Sequence, residues 1–390
     1  MRIAVITSGI LPVPAVQGGA VENLIDFYLE YNERHRLHDI TVYSAWHHDV
    51  ERHAARQSDV NHYVYVKTHS LWFRLCAKLY GKRHRDSYYF YQLEYFFEQV
   101  FRRMRRHHYD LIVLENRPAA AIKLRQQCTT PIIAHIHTNL IHPDTPRKEE
   151  ILRATDLFLV VSDYIRQQIA SIGTPVKIQV LYNGLDEQQF HRLWGTSVSR
   201  ESLGLHANDF VVIYTGRIVP KKGVKELVQA IQQLDGHPEI KLLVVGGDNF
   251  GDSVSSNPYL DELHQMGNNM QGRVVFTGFV PYELLPAYLH LADVAVVPSR
   301  IDEAFGMTCV EATAMGLPVI ATNDGGIPEA LVGQKHILID RDGDRPTDIA
   351  RALLHVKDNY QDYTGNTLSP RFTKETYAKT FFEVISQYGI

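Results

Sequence analysis

The feature that most constrains this chain is a recurring short run of β-branched and aliphatic residues with no polar alternation. In the first half the runs cover residues 3–7, 40–43, 111–114, 132–135 and 157–161. In the second half they cover residues 211–214, 241–245, 274–277, 294–297 and 319–322. A strand that is apolar on both faces has to be covered on both, and helix-length segments separate these runs. The pattern predicts an α/β chain with parallel sheets between helical layers. At 390 residues it should divide in two, because single hydrophobic cores rarely grow that large. The rhythm pauses over residues 183–209, which are polar and strand-free, so the linker is placed there. The expected domains are 1–190 and 191–371, with a final helix over 372–388 that packs back on the first domain. Two such domains facing one another would leave a cleft at the C-terminal ends of their strands, where ligands of doubly wound sheets bind.

Composition narrows the partners. A formal net charge of −4 speaks against a protein that lives on nucleic acid. Cys76, Cys128 and Cys309 form neither a CxxC pair nor a zinc-ligand spacing, which fits a reducing cytoplasm. The N-terminal MRIAVITSGILP resembles a signal-peptide core for a few residues, but Pro12 and Pro14 interrupt it and it reads as a buried first strand. No run approaches the roughly 18 to 20 apolar residues that span a bilayer, so membrane contact is expected to be peripheral.

The most informative stretch is PSRIDEAFGMTCVEATAMGLPVIAT, residues 298–322. It places Glu303 in a loop, Gly306 at a tight turn, and Glu311 one turn inside a short helix over 307–315. A helix that starts after a glycine presents free N–H groups, a cradle for phosphate. Eight helical residues cover about 12 Å, so Glu303 and Glu311 could grip the two hydroxyl-rich ends of one nucleotide-sugar. Alone, the two acids would read as surface glutamates. Their context resembles the donor-site motif of the retaining GT-B glycosyltransferases of family four, which include sucrose-phosphate synthases and many bacterial polysaccharide and phosphatidylinositol mannosyltransferases.

That resemblance implies a GT-B fold, two facing Rossmann-like domains with an interdomain cleft. It also implies that Glu303 contacts sugar hydroxyls, Glu311 binds ribose, and the backbone around Phe305, Gly306, Met307 and Thr308 meets sugar and phosphates. YTGRIVPKKGVKELVQAI, residues 214–231, sets Arg217 and Lys222 at the mouth of a loop between strand and helix. Two cations there can neutralise a departing diphosphate, with Lys221 as a competing candidate. The resemblance assigns Arg217 and Lys222 that role. By the same resemblance Gly18 and Gly19 let backbone approach the donor phosphates and acceptor, and the segment near Phe279 and Val280 meets the base. Neither glycine belongs to a GxGxxG fingerprint. NDGGIPEAL places Gly325 and Gly326 in another loop beside the cleft.

His137 follows the strand PIIAHI and, in the resembled family, a histidine here lies near the transferred sugar. The family commonly has His-Asp at this place, whereas this chain has His137-Thr138, so any orienting acid must come from elsewhere. His135 is expected to point to the opposite face. No DxD motif occurs in a convincing context, and cations can stand in for a divalent ion at a leaving diphosphate, so metal-independent transfer with no cofactor is expected. The stereochemistry is supplied by the resemblance alone: retention, by departure and attack on one face of the sugar. A UDP-sugar is the favoured donor, with a hexose or N-acetylhexosamine moved to a saccharide or lipid-linked saccharide. The alternatives are a sugar-nucleotide epimerase, a phosphorylase, for which no pyridoxal-lysine context is present, or a non-catalytic nucleotide-sugar-binding protein.

Residues 71–108 carry nine Lys or Arg, among them Arg102, Arg103, Arg105 and Arg106, against Asp86, Glu94 and Glu98. Aromatics such as Trp72, Phe73, Tyr80, Tyr88, Tyr89 and Phe90 are interleaved. The combination suits either two amphipathic helices with a solvated basic face or contact with an anionic cytoplasmic leaflet.

Overall fold

The computed structural model describes residues 1–85, 87–191, 198–247 and 257–388. Part of the expected linker, 192–197, lies outside the described residues, as does Asp86. The chain separates into two units, residues 1–184 with 374–390, and residues 185–373.

The first unit is a seven-stranded parallel sheet in the order β3-β2-β1-β4-β5-β6-β7. Its strands are β1 Arg2–Ile6, β2 Asp39–Ala45, β3 Asn61–Val66, β4 Leu111–Glu115, β5 Ile132–Ile136, β6 Leu157–Val160 and β7 Ile178–Val180. Helices α1 Ala20–His35, α2 Leu71–Arg83 and α3 Tyr91–Met104 belong to it. One core cluster joins Val5, Leu111 and Leu159 to Leu24, Tyr28 and Phe381; the other joins Ile6, Ile112 and Leu114 to Phe96, Phe97 and Phe101. Strands buried on both faces carry the uninterrupted apolar runs that coverage on both sides demands. The C-terminal helix Lys374–Ser386 packs along α1, where Phe381 stacks on Tyr28 at 4.1 Å and 6°.

The second unit is a six-stranded parallel sheet in the order β10-β9-β8-β11-β12-β13. Its strands are β8 Phe210–Thr215, β9 Ile240–Val245, β10 Val274–Phe276, β11 Val294–Val297, β12 Val319–Thr322 and β13 His336–Ile339. The helix Val224–Gln233 buries Val224, Leu227, Val228 and Ile231 against Val212, Leu242 and Val244.

All ten apolar runs form strands. The sequence reading omits β3, β7 and β13, and each is an edge strand. An edge strand has one open side and need not be apolar throughout, and these three are only half buried over most of their length. In each sheet the order reverses beside the first strand of its unit, between β1 and β4 and between β8 and β11. The loops leaving those strands at their C-terminal ends splay apart there and make room for a ligand.

Candidate active site

In the second unit the reversal point carries most of the sequence-singled residues. The loop after β8 and the loop after β11 are tied together by the Arg300 amide, which donates to the Lys221 carbonyl at 2.9 Å. Gly223, which starts the Val224–Gln233 helix, comes so close that a Cβ would sit 1.9 Å from the Pro298 carbonyl oxygen. Only glycine permits that approach, and it brings Lys222 across to the second loop. There the Lys222 ammonium donates to Glu303 Oε1, which also accepts the Ser299 hydroxyl. Neither charged side chain is fully buried, the lysine being 24% and the glutamate 17% exposed, so the pair is open to a ligand.

Glu303 is held from behind by the NDGG loop. The Gly326 amide donates to the Glu303 carbonyl at 2.8 Å, and a Cβ on Gly325 would lie 2.2 Å from the same oxygen. Arg217 is exposed on the β8 loop, whose backbone is fixed by the Tyr214 hydroxyl donating to the Arg217 carbonyl at 2.7 Å. Burial raises the Tyr214 hydroxyl well above its ordinary value; Glu303 adds to the shift and Arg217 opposes it, so both side chains act on the same phenol.

Three residues past Glu303, Gly306 caps the helix Met307–Ala314, whose opening amides at Met307 and Thr308 have no preceding turn to bond to. Glu311, one turn inside, is buried and accepts the Tyr282 hydroxyl at 3.0 Å. Burial pushes its carboxyl up to about 7, and the tyrosine bond only partly offsets this. Tyr282 is itself fixed by Gln189 Nε2, which donates to its carbonyl at 3.1 Å. It lies just beyond Phe279, which is exposed, and Val280, which is half buried. Phe305 does not present its ring to this site: the ring is buried edge-on to Phe372 at 5.2 Å, which leaves only its backbone available.

A pH dependence follows from Glu311. On the expectation that Glu311 accepts ribose hydroxyls, its carboxylate binds best when ionised, and the free group holds its proton up to about pH 7. Affinity for a nucleotide-sugar, whose diphosphate is fully ionised throughout, is expected to rise by about tenfold from pH 6 to pH 8. Calorimetric titrations at several pH values check this, and in Glu311→Gln the slope should vanish. The stability sign is the reverse: the raised carboxyl supports the free fold below the ordinary Glu range, and that contribution is lost as pH rises through about 7.

The first unit presents a second group of polar residues at its own reversal point. Gly18 and Gly19 fall in the loop after β1, with Gly19 starting α1 beside the buried Glu22, which accepts the Ser8 hydroxyl at 3.3 Å. His137, one residue past β5, is buried, and its Nε2 meets Glu115 Oε2 at 2.8 Å. His135 does not point to the opposite face. Residues two apart on a strand share a face, and its Nδ1 meets the same carboxylate at 3.1 Å, with the two imidazoles 4.0 Å apart. Glu115 ends β4 in register with His135 and also accepts the Tyr28 hydroxyl at 3.0 Å. Burial alone would raise the Glu115 carboxyl, but attraction to His135 and hydrogen bonds from both histidines hold it well below the usual carboxylate range. Burial, then the neighbouring His135, pull His137 down to about 4 against that carboxylate, so its ring is neutral near pH 7.

Glu115 is thus the acid beside His137 that the His137-Thr138 pair lacks. With Nε2–H donated to Glu115, Nδ1 is left as an acceptor; it is buried and has no partner among the described residues. Ligating atoms of Glu115, His135 and His137 lie within 4.8 Å of one another, as do those of His47, His48 and Asp49 near the surface. In the buried trio the hydrogen bonds just given already satisfy the carboxylate. Glu115→Ala strands two buried imidazoles and a phenol without their acceptor and is expected to cost about 3 kcal/mol, read from the urea midpoint, whereas Glu115→Gln should cost less than half of that.

Sequence reasoning missed Ser299, Tyr282 and Glu115. The signal available for Glu115 is an acid ending the otherwise apolar run LIVLE, matched by two histidines at alternate positions of the next run.

The family model for glycosyl transferases group 1 matches residues 196–368, and that for glycosyltransferase family 4 matches residues 24–189. Spore coat protein SA of Bacillus subtilis (strain 168) is 28% identical over 366 residues, covering 90% of this chain and 89% of that protein. The crystal structure of Anabaena Alr3699/HepE in complex with UDP and glucose has a TM-score of 0.71 at 24% identity, over 99% of each chain. Sucrose-phosphate synthase from Thermosynechococcus elongatus has a TM-score of 0.72 at 19% identity, over 99% of this chain and 98% of that one. Two parallel α/β units and two family models that between them match residues 24–189 and 196–368 place the chain in one family: it is a glycosyltransferase of group 1, family four, with the GT-B fold.

Proposed function

We propose that the protein is a retaining, metal-independent glycosyltransferase that takes a hexose or N-acetylhexosamine from a UDP-sugar. The observation that carries this reading is the Lys222–Glu303 pair at the reversal point of the second sheet, with a helix start beside it and Glu311 one turn further on. A diphosphate fits the helix start and the cations of Arg217 and Lys222; the sugar hydroxyls fit Glu303, and the ribose fits Glu311. The likeness to a structure holding UDP and glucose supports uridine as the base.

In the reaction the bond from the anomeric carbon to the diphosphate breaks, and the acceptor oxygen bonds to the same carbon from the same face. The acceptor proton leaves on the departing diphosphate, whose growing charge Arg217 and Lys222 neutralise. Neutral His137 offers Nδ1 as an acceptor to a hydroxyl of the transferred sugar. Gly18 and Gly19 admit the donor phosphates and acceptor, and the segment at Phe279 and Val280 meets the base. The acceptor is a saccharide or lipid-linked saccharide met by the first unit at the cytoplasmic face of an anionic membrane, a role in cell-surface polysaccharide or glycoconjugate synthesis.

A thermal-shift screen of UDP-, GDP- and ADP-sugars tests the donor. A ligand at 100 times its dissociation constant stabilises by about 2.7 kcal/mol, and the shift should appear with UDP-sugars and shrink in Glu311→Ala. A shift with GDP- or ADP-sugars alone would overturn the choice of base.

A further inference from the structure

The basic, aromatic-rich segment 71–108 resolves into two helices of different character. In α3 the phenylalanines are core: Phe96, Phe97 and Phe101 are all buried. The cations at its end are engaged nearby: Arg102 with Glu98 at 2.9 Å, Arg103 with the Gln99 carbonyl at 2.8 Å, and Arg105 with Gln127 at 3.0 Å.

In α2 the arrangement is reversed. Only Phe73 and Ala77 are buried, and the inward rings of Phe73 and Tyr80 lie 5.1 and 5.7 Å from Tyr95 of α3. The outward face carries Leu71 at 83% exposure and Trp72 at 75%, with Leu75 and Leu79 each more than half exposed. Six of the eleven exposed large apolar side chains among the described residues lie on α2 or at the nearby Phe90 and Tyr91, so this is a patch and not scatter.

At about 100° per residue, Leu71, Leu75, Leu79 and Trp72 fall within one arc of about 100°. Arg74 and Lys78 flank one side of that arc and Arg83 the other, while Lys82 sits at its C-terminal end. The helix contains no acid, and none of its four cations forms an ion pair among the described residues. An apolar stripe bordered by long-stemmed cations matches the boundary between lipid headgroups and acyl chains, where the stripe is buried and the cations reach back to phosphate.

We propose that the outward face of α2 is the surface by which this protein docks on an anionic lipid bilayer. The proposal rests on the membrane-facing acceptor given above and goes beyond it by naming the helix and the residues that enter the lipid. It moves the weight of docking away from Arg102 and Arg103 at the end of α3 and Arg105 and Arg106 just after it, a helix whose apolar face is core.

The test is co-sedimentation of the full chain with vesicles of phosphatidylcholine alone or mixed with phosphatidylglycerol, at low and high salt. The native protein should bind the mixed vesicles and bind the neutral ones far less. A variant carrying Trp72→Ser, Leu75→Gln and Leu79→Gln should lose at least about tenfold in vesicle affinity. Arg74→Gln, Lys78→Gln and Arg83→Gln together should remove most of the salt-sensitive part, each cation being worth on the order of fivefold at such a surface. The Arg102, Arg103, Arg105 and Arg106 to Gln variant should lose less than either. All three variants should keep native circular dichroism and native UDP-sugar binding, since none of the replaced residues belongs to the donor site. No binding of the native chain to anionic vesicles, or equal binding by the apolar variant, would overturn the proposal and leave glycosyl transfer standing. So would a dimer abolished by the apolar variant, in the absence of vesicle binding, because the patch would then serve a second copy. Loss of donor turnover in the native protein would instead count against the proposed function.

Discussion

Replacing Lys222 by alanine is expected to lower turnover by about 10² to 10³, with a much smaller change in donor affinity. On the proposed reading Lys222 meets a diphosphate that is already charged on the bound donor and gains a further negative charge as it leaves, so its loss weighs more on the transition state than on binding. The Lys222–Glu303 bond adds a second consequence. Removing the lysine leaves Glu303 partly buried and without its cation, so part of the defect belongs to the glutamate. A double-mutant cycle with Glu303→Gln separates the two: the combined variant should be less impaired than the product of the single losses. Arg217→Ala should lower turnover in the same way but less, because that side chain is the more exposed. Steady-state kinetics on the variants checks this, and near-normal turnover in both Lys222→Ala and Arg217→Ala would remove them from the leaving-group site.

The two glutamates should fail differently. Glu311 is buried against Tyr282 with its carboxyl raised and is the proposed ribose acceptor, whereas Glu303 is partly exposed beside Lys222. Glu311→Ala is therefore expected to weaken UDP itself by on the order of tenfold to a hundredfold, the loss of two hydrogen bonds to a charged group. Glu303→Ala should leave UDP affinity within about threefold of native and lower sugar transfer by about 10² or more. Calorimetry with UDP and kinetics with the intact donor give the two readouts. Equal loss of UDP affinity in both variants would refute the division. Tyr282→Phe gives an internal check, because removing the phenol raises the Glu311 carboxyl further and should move the affinity–pH curve upward.

The central strands were legible because burial on both faces forces an uninterrupted apolar run, which a single sequence displays directly. β3, β7 and β13 were not, because an edge strand is free to alternate and its partner is fixed by tertiary pairing. The donor motif was legible for a similar reason. Gly306, Glu303 and Glu311 sit within one loop and one turn of helix, so local spacing carries their geometry. Lys222 and Glu303 are 81 positions apart, and their contact follows from the adjacency of β8 and β11, which no local pattern records. Glu115 was hidden for the same reason: its importance arises only when β4 lies beside β5 and sets it opposite His135. The reading of His135 failed on a simpler point, the two-residue period of a strand. For 71–108 composition identified a basic aromatic region but could not assign which of its helices keeps its apolar face outside; packing against Tyr95 and the core decides that.

The central claim, retaining transfer from a nucleotide-sugar at the Lys222–Glu303 site, is tested most directly by proton NMR of a reaction started with an α-linked UDP-sugar and a saccharide acceptor. Release of UDP, an α-linked anomeric signal in the first product, and loss of both in Lys222→Ala are expected. A β-linked first product, or no nucleoside diphosphate released from any UDP-, GDP- or ADP-sugar, would contradict it.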